Sequence, residues 1–134
     1  YVMRTVTLDD GQDAEDLKVF VGAYKPATAT IKVYAKLLNG EDGQDMDDKT
    51  WIDMTQVTPL TVYSDSENQQ DFEEYEYTIP TANLTGDNGE VQYTTTDGVT
   101  FTGFKRFKIK VVLLSTSTSR VPRIRDFRAV ALQI

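Results

Sequence analysis

The side chains best equipped for chemistry in this sequence are carboxylates, and they fall into three groups. Asp9, Asp10, Asp13 and Asp16 form the first, Asp42, Asp45, Asp47 and Asp48 the second, and Glu73, Glu74 and Glu76 the third. Clustered carboxylates suit calcium, which takes about six to eight oxygen ligands. Both aspartate groups contain the tetrapeptide Asp-Gly-Gln-Asp, at 10–13 and at 42–45. Neither has the alternating spacing of a helix–loop–helix calcium loop, and neither closes on a glutamate placed for bidentate coordination. They read as solvated acidic loops. Paired carboxylates can also hydrolyse glycosides when one is desolvated and its partner is not. Glu74 and Glu76 instead alternate with Tyr75 and Tyr77, the pattern of a half-exposed strand. The chain has no histidine and no cysteine. An imidazole base, a thiolate nucleophile and a cysteine zinc site are therefore excluded together. We expect no catalysis, no cofactor and no metal.

The cations are distributed quite differently. Residues 1–104 hold 6 Lys/Arg against 20 Asp/Glu, a net −14, whereas residues 105–134 hold 8 Lys/Arg against 1 Asp, a net +7. The basic cluster is Lys105, Arg106, Lys108, Lys110, Arg120, Arg123, Arg125 and Arg128. Its chemistry suits an acidic protein surface, and head-to-tail assembly of copies would join the two charge signs. Neutralisation across one sheet is the competing reading. The overall charge of −7 argues against a nucleic-acid partner. The aromatic stock of Tyr24, Tyr34, Trp51, Tyr63, Tyr75, Tyr77 and Tyr93 could stack on sugars, so a surface glycan is a second possible partner. Asn83-Leu84-Thr85 matches a glycosylation sequon, a pattern with many chance hits.

The elements that must position these groups are strands. Apolar residues alternate over short runs at 2–8, 17–24, 30–38, 72–79 and 91–95, with Asp, Gly, Asn and Pro clusters between them. Runs 17–24 and 30–38 resemble the arms of a hairpin turning at Lys25-Pro26, and Asp97-Gly98 marks a second hairpin. The segment 104–134 is the most apolar and the most basic part of the chain, two long runs joined by a polar turn at 115–119. Its stretches 111–114 and 129–132 read as core, and its charged ends as one contact surface. About nine or ten strands in 134 residues predict a single all-β domain over 1–134. The expected architecture is a two-sheet antiparallel β-sandwich of jelly-roll-like type. No run approaches the roughly 18 apolar residues of a membrane-spanning helix, and no membrane partner is expected.

Several pieces in order carry a family resemblance. They are Asp16-Leu17-Lys18-Val19-Phe20 with Lys25-Pro26, Ile31-Lys32-Val33-Tyr34-Ala35-Lys36, and Trp51-Ile52-Asp53-Met54. Gly103-Phe104-Lys105, Phe107-Lys108-Ile109-Lys110-Val111-Val112-Leu113, and the run from Val121-Pro122 to Ala131-Leu132 complete the set. Together they resemble a β-sandwich domain of virion structural proteins in contractile-tailed bacteriophages, especially those of marine bacteria and cyanobacteria. The resemblance implies a C-terminal module of a longer tail or baseplate protein. Such a module would assemble in the host cytoplasm and be held in the virion by other virion proteins and copies of itself. The family supplies no catalytic motif. A carbohydrate-binding adhesion module and a capsid-decorating domain are the alternatives.

Overall fold

Alternation along the chain sets both the strands and their buried faces. The computed structural model describes residues 2–8, 13–60, 62–63, 72–116 and 122–133. In chain order the strands are β1 (Val6–Thr7), β2 (Asp16–Tyr24), β3 (Ala29–Leu38), β4 (Ile52–Asp53) and β5 (Thr55–Gln56). They continue with β6 (Glu73–Thr78), β7 (Gln92–Thr94), β8 (Thr100–Thr102), β9 (Arg106–Ser115) and β10 (Arg123–Leu132). Leu17, Val19, Val21 and Ala23 of β2 are fully buried, as are Val33 and Ala35 of β3 and Ile109 of β9. Their intervening neighbours Lys18, Phe20, Lys32, Tyr34 and Lys36 remain partly exposed. Period-two burial of this kind follows from the pleat, which sends successive side chains to opposite faces.

Two four-stranded sheets result, in the orders β1-β9-β3-β4 and β10-β2-β6-β5, with β7-β8 as a separate ribbon. Every strand pair is antiparallel. The inward residues of both sheets form one core with Met54, Tyr75, Tyr77, Ile79, Val91, Phe104 and Phe107. The protein is an all-β, two-sheet antiparallel sandwich, and its chain passes repeatedly between the sheets in the jelly-roll manner. Among the described residues no helix is long and apolar enough to cross a membrane.

The strand pairing departs from the sequence expectation. Runs 17–24 and 30–38 do not form a hairpin, because β2 and β3 lie in different sheets. The link at 25–28 is an arch, in which the Pro26 carbonyl accepts a hydrogen bond from Ala29 N–H at 2.9 Å. The two long runs of 104–134 do the same: β9 joins the first sheet and β10 the second. Hairpin and arch share one alternation pattern, since either places every second residue in the core, so parity cannot separate them. The two pairs of long strands interlock. β3 pairs with β9 from Ala29↔Ser115 to Leu38↔Arg106, and β10 pairs with β2 from Arg123↔Tyr24 to Leu132↔Asp16. The Asp97-Gly98 hairpin is present as β7-β8, with Gly98 at φ +84°.

The core also sits elsewhere on β9. Phe107, Ile109 and Val111 are buried, but Leu113 is 40% and Leu114 48% exposed. The segment 129–132 of β10 is only half-buried, because β10 is an edge strand. Alongside β9 the N-terminal segment that contains β1 reaches as far as the Val2↔Lys110 bridge. Beyond it, among the described residues, β9 has β3 alone beside it. The reading of Leu113 as a core position is therefore corrected. Leu113→Asp is expected to stay folded, with unfolding free energy within about 1 kcal/mol of the parent by urea titration.

Candidate functional site

The basic cluster divides between two opposite surfaces. Arg106, Lys108 and Lys110 occupy the outward positions of β9, beside Leu38, Lys36 and Tyr34 of β3. Arg123 and Arg128 belong to β10 on the other sheet, with Arg125 at a bulge between Ile124 and Asp126. Lys105 precedes β9; its N–H donates to Leu38 O and its carbonyl accepts from Leu8 N–H. Arg120 lies outside the described residues. The expected single contact surface is thus not formed, because β9 and β10 lie in different sheets.

The two surfaces differ electrostatically. On the β10 side, Arg128 Nη2 meets Glu74 Oε1 at 3.0 Å and the guanidinium lies 4.7 Å from the Phe20 ring centre. Arg125 lies 3.8 Å from Asp126. Here Arg128 is neutralised across the sheet by Glu74, one of the three clustered glutamates, and Arg125 has its sequence neighbour Asp126 beside it. On the β9 side, Lys36 and Lys110 rest on aromatic rings. Trp51 lies 4.8 Å from Lys36 Nζ and 4.6 Å from Lys110 Nζ, and Tyr34 lies 4.8 Å from Lys110 Nζ. A cation placed over a ring keeps its full charge for a partner. The carboxylate ion pair on this face is Lys32 with Asp53, at 3.9 Å.

The second acidic loop is organised around a buried ion pair that charge counting missed. The Asp42 side chain is 2% and the Lys49 side chain 7% exposed, and Lys49 Nζ lies 2.6 Å from Asp42 Oδ2. Tyr93 donates its hydroxyl to the same oxygen at 2.7 Å, and Gln44 N–H donates to Asp42 Oδ1 at 2.9 Å. Lys49 also donates to Gln44 Oε1 at 2.6 Å and lies over the Tyr93 ring. Tyr93 in turn accepts from Asn39 N–H, and Asn39 Nδ2 donates to the carbonyls of Thr102 and Gly103. Burial by itself would raise the Asp42 carboxyl. The hydrogen bonds from Lys49, Tyr93 and Gln44, with the Lys49 charge, outweigh it and hold the group below the usual aspartate range. Burial, and then the Asp42 charge, push the Tyr93 hydroxyl up. One clue was legible: Lys49 is the lone cation of the loop 39–49.

The reading of this loop as solvated throughout is corrected at Asp42, which is buried with an ammonium partner. Of the first loop, Asp9 and Asp10 lie outside the described residues, and Asp16 Oδ1 accepts from Leu17 N–H. Among the described residues no group of three potential metal-ligating side chains converges. Most tyrosines prove structural. Tyr77 donates to Ile31 O at 2.8 Å and Tyr75 to Val62 O at 3.1 Å. Burial, followed by the neighbouring Tyr75, pushes the Tyr77 hydroxyl up. Lys25, at the end of β2, is buried near the Tyr63 and Tyr75 rings, and that burial lowers its pKa.

Beside the ion pair a cleft of about 460 Å³ opens between β4, the turn Thr81–Asn83 and the start of the β7-β8 ribbon. Its walls include Trp51, Tyr93, Asp48, Asp53, Asn83 and Thr96, over Leu37 and Ile52. The Asn83 of the sequon therefore faces a recess. No protein-family model, curated protein or solved structure matches the chain.

Proposed function

We propose that this domain is a non-catalytic structural module that makes subunit contacts in a bacteriophage tail or baseplate, as part of the virion. The observation that supports this most is the outward face of β3 and β9. It carries Lys32, Lys36, Arg106, Lys108 and Lys110 on a chain whose net charge is −7. Lys36 and Lys110 are stiffened by Trp51 and Tyr34. A rigid, cationic sheet face loses little side-chain entropy on docking and meets an acidic surface of another virion protein or of a second copy.

The test is charge reversal on that face. The Lys108→Glu/Lys110→Glu variant is expected to melt like the parent yet be left out of assembled particles. Normal incorporation, or a density map of the intact particle in which this face projects freely, would sink the reading. A loss of melting temperature as large as the loss of assembly would assign the two lysines to folding instead.

A further inference from the structure

The geometry points to a binding site for a neutral pyranose sugar in the cleft between Trp51, Tyr93 and Asn83. Three observations narrow the ligand to this class. The first is size and form: about 460 Å³ lies within the usual range of small-molecule sites, about 300–1,000 Å³. The second is charge. The cation in the wall, Lys49, is held by Asp42 and Gln44, while Asp48 and Asp53 contribute carboxylates. A phosphate, a nucleotide or a uronate would therefore meet negative charge without a free counter-ion. Lys36 and Lys110 reach Trp51 but do not line the cleft.

The third is the mixture of surfaces. Among the described residues the side chains of Asp48, Asn83 and Thr96 have no hydrogen-bond or ion-pair partner, and they line the same recess as two aromatic rings. A purely apolar ligand would desolvate those groups without compensation. A pyranose offers what this lining needs. Its vicinal hydroxyls match the paired donor and acceptor of an asparagine amide and the two oxygens of an aspartate. Its C–H face packs against an indole or phenol ring.

Both rings are preformed. Trp51 is braced by two ammonium groups, and Tyr93 is fixed by hydrogen bonds to Asp42 and from Asn39. Ordering them costs little on binding, which is the condition under which a shallow polar site gains measurable affinity. The cleft shares Trp51 with the cationic face, so Asn83, which is not part of that face, is the residue that tests the site separately from assembly.

The experiment is an NMR titration of the 134-residue chain with glucose, galactose, mannose, N-acetylglucosamine and their disaccharides. At least one is expected to shift the Trp51 indole N–H and the Asn83 side-chain amide together, with a dissociation constant of about 1 mM or tighter. Trp51→Ala and Asn83→Ala are each expected to weaken that binding at least about tenfold. Asn83 is partly exposed and its side chain has no hydrogen-bond partner among the described residues, so its variant keeps the fold and tests the site without the packing of Trp51. The inference is overturned by the absence of any shift across the series, or by shifts that map elsewhere. Binding confined to sulfated or uronate sugars, or affinity unchanged in both variants, overturns it equally.

Discussion

Lys49→Met is expected to destabilise the domain by about 3 kcal/mol or more in urea unfolding, a large share of the roughly 5–15 kcal/mol typical of such domains. The change removes one partner of a buried pair and leaves the Asp42 carboxylate in place. That carboxylate keeps the Tyr93 hydroxyl and the Gln44 N–H as donors but loses its counter-charge at 2.6 Å. Asp42→Asn/Lys49→Met removes both charges and keeps an amide oxygen for one of the two donors, so the double variant is expected to recover part of the loss. A double variant no better than Lys49→Met alone would show that the lysine acts through packing on Tyr93. The pH dependence follows from the same pair. The folded Asp42 pKa lies below the ordinary value of 3.8, so the unfolded state binds the proton more readily. The contribution is fully present above that ordinary value and is lost as pH falls through the folded one. Acid unfolding below about pH 4 should therefore be shallower for Asp42→Asn than for the parent.

That ion pair also shows where sequence reasoning stops. Parity along 17–24, 30–38 and 106–111 was sufficient to locate the buried faces of β2, β3 and β9, because a pleated strand has only two sides. The turn at Asp97-Gly98 was legible because positive φ restricts the residue type. Partner choice was not legible. Ile31 and Val111 read the same whether their strands turn back on neighbours or cross to the facing sheet. From that ambiguity came the mistaken hairpins, and with them the mistaken single basic surface. Leu113 keeps the inward parity of β9, yet it is 40% exposed, because parity tells which face a residue takes and not how far along the strand that face is covered. Asp42 and Lys49 are seven residues apart in a loop without period, so only the fold could select that aspartate from its neighbours. The cleft is less legible still. Trp51, Asn83 and Thr96 come from three separate segments, brought together by the edge of one sheet and the β7-β8 ribbon.

Gly103→Ala is expected to destabilise the domain by about 2–4 kcal/mol, for two reasons that can be measured apart. Gly103 has φ +76°, a left-handed conformation that any residue with a Cβ resists. A Cβ there would also stand 2.9 Å from the Ala14 carbonyl oxygen. That oxygen accepts from Phe104 N–H at 2.8 Å, and Ala14 N–H donates back to Phe104 O at 2.9 Å. It cannot retreat without breaking the bridge that holds fully buried Phe104. Gly98→Ala isolates the first term, since Gly98 has φ +84° and open space around its missing Cβ. Its expected cost is about 1 kcal/mol from backbone conformation alone. Equal losses at the two glycines would mean that Ala14 yields and that close approach contributes nothing. The consequence reaches the cleft as well. The Gly103 carbonyl accepts from Asn39 Nδ2, and Asn39 N–H holds the Tyr93 hydroxyl. A displaced Gly103 should therefore loosen Tyr93 and weaken sugar binding beyond what the loss of global stability predicts.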